Sequence, residues 1–380
     1  MKTDLHTALT NLIKFFETSS ELPRFMITIG FDGFVDEIIE VVDKRHSVSY
    51  YEPIETIADL GRRISNSAGL STNIELVPTR VKLGGNGPNM ANALAAVNQR
   101  ITYIGALGVP EIHPVFHEMV SGCENIVSFA NPGHTDALEF NDGKIMMGKL
   151  TPLNEVTWEN LAAKLEPELL RKAFTEADLV ATLNWTMLPY MNDLWHHLYQ
   201  FLSEQEMVKR PYLFVDLCDP EKRSREDLLA AVDYLRNFSQ FYNVVLGLNR
   251  KEADEVAKAL GLNHLLTAEV PLGEITQELA AELQLWGVAV HAVKSCAAVC
   301  GGVFAEINGP YCAKPKLTTG AGDNFNAGFC LGLLLNLPLS EVLTLASAWS
   351  GFYVRRGFSA DFEQMQDFLD WWLNNTDISL

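Results

Sequence analysis

Apolar positions along the chain fall into two rhythms that take turns. Short, nearly continuous apolar runs recur: "RFMITIGF" (24–31), "ITYIGALG" (101–108), "DLVATLNW" (178–185), "YLFVDLCD" (212–219), "NVVLGLN" (243–249) and "GVAVHAVKS" (287–295). Each is short enough for a strand and lacks the in–out alternation of a half-exposed one, so both faces are expected to be buried. Between them lie segments with helical spacing, such as "NMANALAAVNQ" (89–99), "NLAAKLEPELLRKAFTEA" (160–177) and "DLWHHLYQFLSEQEM" (193–207). The alternation predicts an α/β fold with a mostly parallel sheet covered by helices on both faces. Ligands in such folds sit beyond the carboxyl ends of the strands.

Two stretches break this rhythm. Residues 43–80 hold a helical insertion too long for a simple crossover. Residues 126–150 predict strands joined at "NDGK". Together they predict a small lid beside the main sheet, so the chain reads as one domain, 1–380, carrying a lid. Leu5, Leu9, Leu12 and Phe16 share one helical face and predict an amphipathic helix over 3–18, docked on the body.

Charge narrows the function classes. The chain has 48 acidic and 29 basic residues, a formal net charge of -19. That excess argues against nucleic acid or an anionic membrane as partner, though not against a small anion. Asp4, Lys14 and Glu17 interrupt the N-terminal segment, so no signal peptide is expected, and no apolar run reaches membrane-spanning length. Six cysteines without a CxxC pair predict free thiols in the cytoplasm.

The candidate chemistry concentrates in three places. "TTGAGDNFNAGF" (318–329) places Gly320, Ala321 and Gly322 directly before Asp323 and an apolar helix. The unpaired N–H groups of a helix start, approached through small residues, suit an anion. A carboxylate inside an anion site repels its ligand unless it takes a proton from the group attacking that anion, which is the arrangement of phosphoryl transfer. An ordinary helix start with an acidic first turn would also write this motif. The second place is "KLGGNGPNMANALAAV" (82–97). It is neither a dinucleotide fingerprint, since Met90 replaces the third glycine, nor a Walker loop, since no GK[ST] follows. Close backbone approach and amide side chains suit a polyhydroxy ligand. Third, "IGFDGFVDEI" (29–38) closes the first strand with Asp32 and Asp36, two potential acceptors for sugar hydroxyls.

In this order and at these separations, the three stretches resemble the PfkB carbohydrate kinase family, with its ribokinase-like three-layer α/β/α fold. "TTGAGDNFNAGF" is similar to that family's C-terminal signature and "GGNGPNMANALAAVNQRITYIGALG" to its N-terminal one. Asn249 and Glu252 in "VLGLNRKEADEVAKALG" match its NxxE motif, and "ASAWSGFYVRRGF" is similar to its closing helix. The resemblance implies transfer of the γ-phosphoryl of ATP, with Mg2+, to an alcohol that is usually primary. It implies Asp323 as base, an anion hole of Gly320, Ala321 and Gly322, and sugar contacts from Asp36, Gly84, Gly85 and Asn89. Asp32 and Glu139 are weaker candidates. Asn249 and Glu252 serve magnesium, through water, and the phosphates, and Thr319 belongs to the nucleotide side. Lids in this family often pair, so a homodimer is an expectation.

Three departures qualify the match. Leu317 replaces an Asp that helps bind a monovalent cation, which puts potassium dependence in doubt, with Asp361 as the candidate replacement. "VHAVKSCAAVC" (290–300) replaces a small-residue segment beside the nucleotide and puts Lys294 there, to meet a phosphate or lie in solvent. The insertion in 43–80 makes the substrate side unusual, and the first strand is also similar to ADP-dependent sugar kinases of the same superfold. A nucleoside or small-alcohol kinase, and a non-catalytic sugar or nucleotide sensor, stay open as alternatives.

Overall fold

A computed structural model describes residues 5–267 and 269–376. Nine strands form one sheet: β1 (Met26–Phe31), β5 (Arg100–Gly105), β6 (Asn125–Ser128), β9 (Leu179–Thr182), β10 (Tyr212–Asp216), β11 (Asn243–Asn249), β12 (Gly287–His291), β13 (Ser295–Cys300) and β14 (Val303–Asn308). Five more form a second sheet: β2 (Phe34–Arg45), β3 (Tyr51–Pro53), β4 (Leu76–Gly84), β7 (Gly133–Phe140) and β8 (Gly143–Lys149). The large sheet runs β14-β13-β12-β11-β10-β9-β1-β5-β6. It is parallel from β12 to β6, and β13 and β14 add antiparallel at one edge.

Helices cover both faces. On one lie Leu5–Glu17, Asn86–Ala95, Ala321–Leu334, Leu339–Arg356 and Phe362–Leu373, packed in one apolar cluster, and the helices between residues 158 and 283 cover the other. Strands of a doubly covered sheet have no wet face, which is why they read as continuous apolar runs. The N-terminal helix buries Leu9, Leu12 and Phe16, the last stacked on Phe362 with ring centroids 5.0 Å apart. Residues 3 and 4 of its expected span lie outside the described residues. Among the described residues no helix is long and apolar enough to cross a membrane, and the six cysteines are free.

Some expected boundaries shift. The helix read over 160–177 is two, Trp158–Lys164 and Pro167–Thr175, because Pro167 lacks an N–H and holds the preceding residue extended. The second sheet begins at Phe34, not at residue 43, and Asn125–Ser128 joins the large sheet beside β5. β2 is the spine of the small sheet, pairing with both β4 and β7. The helix Ile57–Ser65 covers one face of it, with Leu60 packed among Ile39, Val41, Ile54 and Leu138.

Candidate active site

Successive strands of the large sheet end in a row of polar residues. Along the edge, β12 ends at His291, β11 at Asn249 and β10 at Asp216, while Asn184 and Asp32 follow β9 and β1. Beyond this edge stands the Gly320–Ala321–Gly322 turn that opens the helix Ala321–Leu334. Gly320 sits at φ 96, in the left-handed region, and an added Cβ there would meet the Tyr353 hydroxyl at 2.7 Å. That hydroxyl donates to the Thr319 carbonyl at 2.8 Å and pins the turn.

Two clefts meet at the turn. One, of about 370 Å³, is lined by Asp36, Gly85, Asn89, Asn184, Asp216 and Asp323 among others, with Phe34, Thr135 and Met146 from the small sheet. The other, of about 810 Å³, is lined by Lys294, Thr318, Ala321, Ser347 and Val354 among others. Asn249, His291 and Gly322 line both. Asp323 opens on the first cleft beside this shared wall, in the first turn of a buried helix. Burial first, and the neighbouring charge of Asp32 next, push its carboxyl well above the usual carboxylate range, against the amides of Asn89 and Asn86.

Of the three amides expected to form an anion hole, one is already engaged within the turn. The Ala321 N–H already donates to the Thr318 carbonyl at 3.1 Å. Those of Gly320, Gly322 and Asp323 have no partner among the described residues and remain for an anion.

The glycines of the second motif serve the protein's own carboxylates. An added Cβ at Gly84 would lie 2.4 Å from the Asp36 carboxyl carbon, one at Gly85 would lie 2.7 Å from Asp32 Oδ2, and one at Gly87 would lie 2.6 Å from Asp32 Oδ1. Gly84 therefore lines neither cleft, and its role is to admit Asp36. Asp32, a weaker candidate for meeting a sugar hydroxyl, is instead taken up by the protein's own groups. It is fully buried, accepts from the N–H groups of Asn86 and Gly87 at 2.9 Å each and from Asn184 Nδ2 at 2.7 Å, and so fastens the glycine turn to the sheet. Burial outweighs these bonds and lifts its pKa to about 6. Asp36 lies in register with Lys82 and Thr135 on the flanking strands. Its carboxyl is raised by burial and opposed mainly by the Lys82 charge.

The NxxE pattern is a helix cap. Asn249 Oδ1 accepts from the Glu252 N–H at 3.0 Å and Glu252 Oε2 accepts from the Asn249 N–H at 2.8 Å, the reciprocal pair of a capping box. Glu252 Oε1 also accepts from the Asp219 N–H at 3.0 Å. Both residues thus face the cleft from rigid positions.

Other candidates stand apart. Glu139 is exposed and pairs with Lys144 at 3.4 Å. Asp361 caps the helix Phe362–Leu373, accepting from the Gln364 N–H at 2.8 Å, and lines neither cleft. Lys294 lines the larger cleft with its Nζ 4.8 Å from the Tyr311 ring centroid. Thr319 lines the smaller one.

Asp216, Asn184 and His291 line the smaller cleft without having been singled out in the sequence. The signal available was position, the first polar residues after consecutive apolar strands. Asn184 adopts φ 60, and its Oδ1 is buried with no partner. Asp216 accepts from Asn326 Nδ2 at 2.8 Å. Burial, then the Glu252 and Asp323 charges, hold it well above the usual carboxylate range. A group raised in this way favours the fold below its unfolded pKa and loses that contribution as pH rises through the folded value. Asp216→Asn therefore raises Tm relative to wild type at pH 8, with the gap closing towards pH 4. Calorimetry of the ligand-free proteins checks this, and a pH-independent gap would refute it.

The model of the prokaryotic ketohexokinase family matches residues 13–372. The chain is 27% identical over 353 residues to the ketohexokinase of Haloferax volcanii, spanning 92% of each. In fold it is similar to ribokinase from Thermotoga maritima (TM-score 0.61, 16% identity, 91% of this chain and 99% of that one). Arabidopsis thaliana ribokinase, solved with ribose and ATP, gives 0.62 at 16% identity, over 92% and 99%. With the turn, the buried Asp323 and the paired clefts in place, these likenesses put the chain in the prokaryotic ketohexokinase family, as an ATP-dependent carbohydrate kinase of ribokinase-like fold.

Proposed function

We propose that this kinase transfers the γ-phosphoryl group of ATP to a primary hydroxyl of a ketohexose. The observation that carries the proposal is the position of Asp323, beside the wall shared by a polar cleft and a second cleft large enough for a nucleotide. The sugar occupies the smaller cleft, with hydroxyls meeting Asp36, Asn89 and the unpaired Asn184 Oδ1. The small sheet, which supplies Phe34, Asp36, Thr135 and Met146 to that cleft, acts as the lid and excludes water. Asp323 takes the proton of the attacking hydroxyl, whose oxygen bonds to the γ-phosphorus. The bond from that phosphorus to the β–γ bridging oxygen breaks, and ADP leaves with the electron pair. The free N–H groups of the turn meet the oxygens of the moving phosphoryl.

Magnesium fits the residues present. Asp32, Asp216, Glu252 and Asp323 form a buried acidic group whose charges penalise one another. Glu252 and Asn249 would hold the ion through water, and when bound it neutralises charge on the phosphates. Asp361 is engaged as a helix cap and is not assigned a cation. Free thiols and the acidic surface support a reducing cytoplasm without nucleic-acid partners. The edge strand β4, with Leu76 and Val81 exposed, supports pairing of two lids in a homodimer, which sedimentation equilibrium checks.

The test is ADP release from Mg-ATP across ketohexoses, aldohexoses, ribose and adenosine, with the phosphorylated carbon located by NMR. Turnover with a ketohexose at a terminal carbon is expected. A preference for an aldose or a nucleoside would overturn the proposed acceptor.

A further inference from the structure

His291 has no part in the proton transfer above, yet its position, more than any other unexplained group's, demands an account. It ends β12 in register with Asn249, and both line the two clefts. A Cβ built on Gly322 would lie 3.5 Å from its Cε1 and 3.5 Å from its Nε2, so the imidazole edge borders the anion-binding turn. The ring is fixed against Phe325, with centroids 4.8 Å apart. Neither ring nitrogen has a hydrogen-bond partner among the described residues. The imidazole is only partly buried and neither of its nitrogens is sealed from the clefts, so both are open to pair with a ligand that enters.

We propose that His291 is a further catalytic residue, whose ring N–H donates to a γ-phosphoryl oxygen of ATP as that group passes from one cleft to the other. The ring lies on the wall common to donor and acceptor compartments, beside amides that point at the same anion. A fixed, pre-aimed donor of this kind stabilises charge on the moving phosphoryl without reorganising. A neutral imidazole has one N–H to give and a protonated one has two, so the donor is present in either state. No bond to the ring forms or breaks, and the substrate proton still goes to Asp323.

The inference rests on ATP as donor but not on which sugar accepts, and its test separates the two. His291→Ala and His291→Gln would be compared with wild type by calorimetric titration with ADP and with AMP-PNP, both with magnesium, after confirming unchanged Tm. Only AMP-PNP carries the γ-group. Its Kd is expected to rise about tenfold in His291→Ala, with ADP within twofold, and His291→Gln, which keeps an N–H donor, should recover part of the loss. With whichever sugar wild type turns over, kcat is expected to fall about 10²-fold, the cost of one such donor, with sugar KM unchanged. Equal shifts for ADP and AMP-PNP, no shift for either, a sugar KM effect alone, or a glutamine variant no better than alanine would each overturn the proposal. Failure of wild type to phosphorylate any ketohexose would overturn the acceptor assignment and leave the nucleotide comparison decisive for His291.

Discussion

Asp323→Asn is expected to lower kcat by about 10²–10⁴-fold, the range a positioned general base supplies, while sugar and nucleotide still bind. The substitution keeps the shape of the side chain and removes its ability to accept a proton. Geometry favours a clean result, because the residue sits in the first turn of a helix buried nearly all round. Stability is expected to hold or rise. The native carboxyl is raised by burial, so an uncharged amide relieves a cost at neutral pH. Single-turnover phosphoryl transfer, read beside thermal unfolding, checks both. A variant that loses Tm together with kcat would mean that Asp323 acts through the fold, and full retention of kcat would remove it as base.

The second large effect concerns the sugar. Asp36→Ala is expected to raise sugar KM by about 10- to 100-fold with ATP KM unchanged, since a charge-assisted hydrogen bond contributes about 1.5–3 kcal/mol. Gly84→Ala should reproduce much of this without touching the acid. Its methyl would stand 2.4 Å from the Asp36 carboxyl carbon, and that carboxylate must swing away. Steady-state kinetics with each substrate varied in turn decides it. If Gly84→Ala leaves sugar KM within twofold, the glycine does not hold Asp36 in place. If both variants move ATP KM equally, the clefts are assigned the wrong way round.

Much of this architecture is visible in the amino-acid order, for reasons that also explain what is hidden. The strands β1, β5 and β9 to β12 are legible because doubly buried strands are short and apolar throughout. Asp323 is legible because its glycines, its helix start and its carboxylate lie within a few residues. Asp32 is not, since the groups that bury it come from Asn86, Gly87 and Asn184. No local window joins them. The same holds for Asp216, Asn184 and His291, single polar residues after apolar runs that only the strand order brings to one edge. Glu252 is an intermediate case. Its capping box can be read locally, but its approach to the Asp219 N–H depends on two consecutive left-handed residues, Cys218 (φ 62) and Asp219 (φ 56). The start of the second sheet is obscured because β2 runs on from the chain that follows β1, so one apolar stretch serves two sheets.

The buried acidic group has a consequence for the lifetime of the protein. Charges that repel one another in the ligand-free state are a cost that a bound cation would relieve, so under the proposed reaction the nucleotide with its magnesium would be a partner in folding as well as in chemistry. At a ligand concentration 100 times Kd, binding adds about 2.7 kcal/mol to the stability of the fold. Chains in well-supplied cells then spend about a hundredfold less time unfolded than chains starved of nucleotide. Proteolysis that acts on open chains would clear the idle enzyme first, tying the amount of kinase to the supply of the compound it consumes.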